Sequence, residues 1–310
     1  MAYDLNEINR RARENPADFI RECDADYDAK IRHAADMIME NREQSPIVLI
    51  SGPSGSGKTT TSKKIEEELR NRGIMTYALP MDSYFRTVDD SAPLTAEGKI
   101  DLESPHCVDM DLLNEHFKLL NECKPIGVPK YVFAQQKRAA EPAEIINIKQ
   151  GDVVVVEGIH ALNDELTNAH PEALKLYISA RSNVELNGEL CFKGTWMRLM
   201  RRVVRDKLFR GASPAYTLSL WANVRRGEKV NISPFKDKAA YKFDSSFPYE
   251  VSVMKKFALE LFRDVPESAA RHDELKSIVP ALELFEEIDN KLLQPNSLIC
   301  EFVGGGKYKY

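Results

Sequence analysis

No apolar stretch in the 310 residues approaches the roughly 20 that a membrane-spanning helix requires, and the polar opening MAYDLNEINRRARENP has no signal-peptide core. Long lysine or arginine runs are also missing and the formal charge is −5, so neither a nucleic acid nor a membrane is expected as the main partner. Cysteine is scarce: Cys23, Cys107, Cys123, Cys191 and Cys300 show no CxxC spacing and no histidine at zinc-ligand spacing. Reduced structural thiols and a cytoplasmic location are the expectation. His106, His116, His160 and His170 fall on different predicted elements, which argues against a histidine metal centre. No internal repeat or low-complexity tract interrupts the chain.

What is present is an alternation of short apolar runs and longer helical patterns. Residues 1 to 45 carry Phe19, Ile20, Ile31, Ala34, Ala35 and Ile38 at rough helical spacing, broken near Asn15-Pro16, and read as an N-terminal helical extension. Ile47 to Ile50 is too short for a helix and rich in β-branched residues, as a buried parallel strand would be. From Lys58 the period becomes helical, with Ile65 and Leu69 four apart and Gly73 at the stop. Ile74 to Leu79, Val153 to Val156 and Leu174 to Ile178 read as further strands, separated by a helix over about Asp109 to Cys123. Tyr131 to Ala134 and Ile145 to Ile148 could pair as a hairpin. A basic helix after Thr195, a helix containing Trp221 and two helical stretches between Tyr249 and Leu293 complete the pattern. The expected fold class is α/β, a parallel sheet flanked by helices with an inserted hairpin and a helical lid. The expected divisions are an extension over 1–45, a core over 46–230 and a mostly helical extension over 231–310.

GPSGSGKT, residues 52 to 59, matches the phosphate-loop pattern GxxxxGK[ST] between a predicted strand and a predicted helix. Phosphate oxygens must approach backbone N–H groups that side chains would obstruct, so Gly52, Gly55 and Gly57 supply clearance, and the helix start adds a favourable dipole. Ser54, Ser56 and Thr60 complete the expected ATP-binding segment. Lys58 is expected to bridge the β- and γ-phosphates, and Thr59 to offer its hydroxyl to Mg²⁺.

A phosphate loop alone does not separate a kinase from a nucleotide switch or motor. Asp82 and Glu157 both follow apolar strands, and ligands of open α/β sheets bind beyond the strand carboxyl ends. One carboxylate can accept a proton from an attacking hydroxyl while the other orients Mg²⁺ directly or through water. His160 stands at the same strand end as Glu157, where an acceptor would lie. Arg198, Arg201, Arg202 and Arg205 recur at spacings of three and four, with Arg210 beyond, as in a lid whose arginines close over phosphates.

With MDSYF at 81–85, DLESPHCVD at 101–109, VPKYVF at 128–133, VVEGIHAL at 155–162 and RRVVRDKLFRG at 201–211, residues 46 to 230 resemble the uridine kinase family, which groups with phosphoribulokinase. The resemblance implies Asp82 as base for a nucleoside 5'-hydroxyl, Glu103 as the carboxylate holding ribose hydroxyls and Glu157 as the Mg²⁺-associated acid. It implies Tyr84, Tyr131 and Phe133 around the base, and Arg202, Arg205 and Arg210 as lid and substrate arginines. Two departures fall in the acceptor pocket: Tyr131-Val132-Phe133 stands where the family commonly has YDF, and Gln136 stands near a position where some members use His. About a dozen additional residues, around Val184 to Thr195, precede the arginine helix. The implied activity is phosphorylation of uridine or cytidine with ATP and Mg²⁺. Phosphorylation of another small alcohol, such as a sugar, sugar phosphate or pantothenate-like compound, stays open, as do a nucleotide-gated binding module and a homo-oligomer.

Overall fold

The computed structural model describes residues 2–89, 91–95 and 98–309. Its centre is a parallel sheet of β1 (Ile47–Ser51), β2 (Thr76–Pro80), β3 (Val153–Glu157), β4 (Leu174–Ser179) and β5 (Tyr241–Asp244). Their spatial order is β5–β4–β1–β3–β2, with β1 central, and every neighbouring pair runs parallel. All five residues of β1 are buried because helices cover both faces. Alternate side chains leave on opposite faces, so Ile47 and Leu49 join one core cluster while Val48 and Ile50 join the other.

The N-terminal region begins with a feature its helical pattern did not announce. Ala2–Asp4 is a short strand pairing in parallel with Asn183–Leu186, which forms an antiparallel hairpin with Glu189–Phe192. The additional residues before the arginine helix therefore build this small sheet. Two helices follow, α1 (Leu5–Glu14) and α2 (Pro16–Asn41), divided at Asn15-Pro16 as expected. The Asn15 side chain accepts from Asp18 N at 3.3 Å, and Pro16 suits the first helical turn, where an N–H would lack a partner. Phe19, Ile20, Ile31, Ala34, Ala35 and Ile38 are all buried in the cluster that also holds Val48 and Ile50. Truncating a fully buried residue such as Ile38 to Ala would cost about 2–5 kcal/mol.

The next helices are α3 (Lys58–Asn71), α4 (Met110–Asn121), α5 (Gly194–Arg210), α6 (Pro214–Gly227), α7 (Glu250–Arg263) and α8 (His272–Glu283). The hairpin pairs differently from expectation. Ile126–Val128 pairs with Glu144–Ile146, and a smaller hairpin inside it pairs Tyr131–Val132 with Lys137–Arg138. Burial explains the choice: Ile126, Val128 and Ile146 pack into the core beside α4, whereas Tyr131 and Val132 are only half-buried. Past residue 230 the chain is not only helical, since β5 closes one edge of the central sheet. A four-residue segment with Phe243 as its fully buried anchor carries too little periodicity to be distinguished in sequence. Among the described residues no helix is long and apolar enough to cross a membrane.

Candidate functional site

Residues 52–57 turn from β1 into α3 with glycines where other residues would collide. Gly55 has φ +75°, and an added Cβ would stand 2.9 Å from the Arg198 carbonyl oxygen. At Gly57, φ is +79° and a Cβ would stand 2.6 Å from Leu298 Cδ1. Two arginines hold the turn from the side. Arg198 donates to Ser54 O at 3.2 Å and Arg201 to Gly55 O at 3.3 Å. Arg201 is fully buried, pairs with the fully buried Glu250 and donates to Ser245 O at 2.8 Å, while Ser245 Oγ donates to Ser56 O at 2.5 Å. These two members of the arginine face therefore hold the loop through its carbonyls. Arg202 is placed differently: it donates to Ser54 Oγ at 3.0 Å. Asp206 faces Arg202, Arg205 and Arg210 at 3.4, 3.0 and 3.5 Å, so one carboxylate gathers the three.

Lys58 and Thr59 open α3 and both reach Glu157 at the end of β3. Lys58 Nζ lies 3.7 Å from Glu157 Oε1, and Thr59 Oγ1 donates to Glu157 Oε2 at 3.4 Å. Burial pushes the Glu157 carboxyl up from its ordinary value, Lys58 pulls it down, and the neighbouring Asp82 adds a further upward push. Asp82 belongs to the 3₁₀ turn Met81–Tyr84, directly after β2. In such a turn side chains three apart eclipse, so Met81 and Tyr84 enter the core together while Asp82 faces the cleft. Desolvation by the surrounding protein raises the Asp82 carboxyl, opposed by Lys58 and Arg210. Its side chain stays open to water, which moderates that rise.

The same turn corrects one expectation. Tyr84 does not line an acceptor pocket: it is fully buried, and its hydroxyl shares a 2.7 Å hydrogen bond with His116 Nδ1. Phe85, the next residue, instead lines a cavity of about 280 Å³ together with Arg86, His106, Tyr131 and Arg138. Tyr131 lies 5.5 Å from the Phe85 ring, and the exposed Phe133 packs against both at 4.9 and 5.8 Å. Gln136 is exposed in a left-handed turn, φ +50°, where its N–H donates to Phe133 O at 3.1 Å and its carbonyl accepts from Val88 N at 3.0 Å. Nothing in the spacing of Phe85, His106 and Arg138 marks them as neighbours around one cavity. Arg138 earns its position through ion pairing to Asp109 at 2.9 Å and a 3.0 Å bond to Tyr84 O.

Glu103 approaches the phosphate loop from a long connection pinned onto α6 by Asp101, which pairs with Arg226 and accepts from Asn223 at 3.1 Å. Contact with α6 is close enough that a Cβ on Gly227 would stand 2.4 Å from Glu103 Cβ. Burial lifts the Glu103 carboxyl to about 7, against the pull of Arg202 and Lys58. His160 is buried, and desolvation drops it to about 4 against the opposing pull of the Asn231 backbone and Asp101, so it is neutral at pH 7.

Thr60, the next residue of α3, meets a carboxylate from the C-terminal segment. Its hydroxyl meets Glu301 Oε2 at 2.6 Å and its N–H approaches the same oxygen at 3.3 Å. Glu301, on the short helix Cys300–Val303, also lies 3.8 Å from Arg205. No sequence signal marked Glu301, because nothing in residues 297–306 shows that they return to α3.

The arrangement joins a glycine turn, a lysine, a hydroxyl and two strand-end carboxylates beside an aromatic cavity, which is the equipment of phosphoryl transfer to a small acceptor. The Phosphoribulokinase / Uridine kinase family pattern matches residues 47–247. The uridine kinase of Deinococcus deserti is 32% identical over 168 residues, covering 54% of this chain and 72% of that protein. The uridine kinase of Latilactobacillus sakei is 31% identical over 176 residues, covering 56% and 74%. The solved structure of a possible uridine kinase from Bacillus stearothermophilus superposes with a TM-score of 0.44 and 16% identity over 69% of this chain and all of that one. With the family pattern extending from β1 through β5, the chain belongs to the Phosphoribulokinase / Uridine kinase family and is a small-molecule kinase.

Proposed function

We propose that the chain transfers the γ-phosphoryl group of ATP to the 5'-hydroxyl of a nucleoside, uridine or cytidine foremost, giving the monophosphate and ADP. The observation that carries this reading is the convergence of Lys58, Asp82 and Glu157 at the carboxyl ends of β1, β2 and β3. Asp82 acts as the base: its open carboxylate takes the proton as the acceptor oxygen attacks phosphorus. Lys58 and the lid residues Arg202, Arg205 and Arg210 neutralise charge spreading over the transferred group. Phe85, Tyr131 and Phe133 offer flat apolar area to a base, and Glu103 accepts hydrogen bonds from vicinal ribose hydroxyls.

Thr59 Oγ1 and Glu157 supply hard oxygen donors 3.4 Å apart, which fits Mg²⁺ held largely by phosphates and water. Among the described residues no group of three or more His, Cys, Asp or Glu side chains could hold a metal alone. When bound, Mg²⁺ would neutralise charge on the phosphate oxygens.

An acceptor panel with ATP and Mg²⁺ tests the substrate class. Uridine or cytidine should give the highest kcat/KM; faster transfer to a sugar, sugar phosphate or pantothenate-like alcohol would overturn the nucleoside assignment. Nucleotide binding without transfer to any acceptor would point to a gated binding module. Asp82→Asn should keep ADP affinity within about twofold while turnover falls at least about tenfold, since base catalysis contributes 10²–10⁴. Unchanged turnover would remove Asp82 from that role.

A further inference from the structure

On the other side of the phosphate loop, away from Asp82 and Glu157, a cavity of about 420 Å³ lies over the carboxyl end of β4. Its wall carries five cations, Arg181, Lys193, Arg198, Arg225 and Lys236, against one carboxylate, Glu228. In a chain of formal charge −5, that local excess is not a sample of the general surface. Glu228 is already shared, paired with Arg198 at 2.7 Å and with Arg225. Arg181, Lys193 and Lys236 take part in no ion pair among the described residues; the Lys193 ammonium rests 4.9 Å from the Trp196 ring centroid.

Two further features of the wall call for an anion. The first turn of α5 borders the cavity through Gly194 and Thr195; Asn183 Oδ1, also on the wall, accepts from Gly194 N at 2.9 Å, but no acidic residue stands in that first turn, so the helix dipole still favours an anion there. Ser179, at the end of β4, is 6% exposed and lines the cavity, and its Oγ has no hydrogen-bond partner. A buried hydroxyl without a partner calls for a group to complete it.

We propose that this cavity is a second anion site, taking a phosphate-bearing small molecule, either a phosphate ester or a polyphosphate. Its cations are spread around the wall, which suits several phosphate oxygens better than one carboxylate. The volume also leaves room for an organic moiety against Tyr177 and the half-exposed Leu190. Arg198 ties the site to the phosphate loop, since the guanidinium lining the cavity also holds Ser54 O at 3.2 Å. The site stands independently of which acceptor the kinase uses.

Inorganic pyrophosphate is the probe, titrated calorimetrically into a Lys58→Ala background that weakens the phosphate loop as a competing site. Lys58→Ala should still bind about one equivalent, and adding Arg181→Glu and Lys236→Glu should weaken that binding at least about tenfold, because charge-assisted contacts become repulsive. The milder Arg181→Gln/Lys236→Gln pair, with matching thermal melts, separates lost binding from lost folding. A charge-matched pair elsewhere, Lys149→Glu/Lys309→Glu, should change binding less than about twofold. Absence of binding to Lys58→Ala, unchanged binding after the Arg181/Lys236 changes, or an equal loss from the control pair would each overturn the proposal.

Discussion

The Arg201–Glu250 pair should fail sharply when only one partner is removed. Both side chains are fully buried, so Glu250→Ala leaves a guanidinium with no counter-charge and no water. Removing one member of a buried pair typically costs 3–5 kcal/mol, and the lost acceptor for Phe247 N, 3.0 Å away, adds about 1 kcal/mol. Partly offsetting this, Arg201 keeps Gly55 O, Ser245 O and the Phe302 ring at 5.1 Å. A net loss of about 3–4 kcal/mol corresponds to a fall in Tm of roughly 6–12 °C in a chain of this size. Differential scanning calorimetry reads this directly. Because Arg201 also supports Gly55, ADP affinity should fall alongside stability. The hydrophobic double variant Arg201→Met/Glu250→Leu should lose less stability than Glu250→Ala, since desolvation of both charges is relieved together. A Tm change under about 2 °C for Glu250→Ala, or a double variant less stable than the single one, would refute the reasoning.

Glu103 should make stability depend on pH. Its folded-state carboxyl lies at about 7, above the ordinary 4.5, so between those values the native state holds the proton more tightly and stability falls as pH rises. Glu103→Gln removes that slope, and its Tm advantage over the parent should grow from pH 5 to pH 8; a constant difference would contradict the burial argument. Glu301 places a negative charge on Thr60, where a donor phosphate should approach α3. Glu301→Gln should therefore tighten ADP binding about three- to tenfold in isothermal titration, with Arg205 released to the nucleotide. Unchanged or weaker binding would show that Glu301 does not compete with phosphate.

The legible parts of the site were those set by local covalent pattern. Gly52 to Thr60 could be read because a phosphate turn needs glycine clearance at fixed intervals, and Asp82 and Glu157 because each follows an apolar strand. Tyr84 was grouped with Tyr131 and Phe133 by the family resemblance, whereas the 3₁₀ turn carries it into the core, away from Asp82. Arg198 and Arg201 could be assigned to a basic helix face but not to its supporting role. Their depth depends on where α5 crosses the phosphate loop.

By itself the sequence determined the parallel α/β layout, the phosphate turn and the strand-end carboxylates, since hydrophobic period and glycine spacing act over a few residues. Tertiary structure alone decided that β5 joins the sheet, that Phe85 rather than Tyr84 lines the aromatic cavity, and that Glu301 returns to Thr60. It also gathered Arg181, Lys193 and Lys236 from three separate segments around one cavity. Such contacts join residues tens to hundreds of positions apart, and their energies depend on burial and shape that no local pattern encodes.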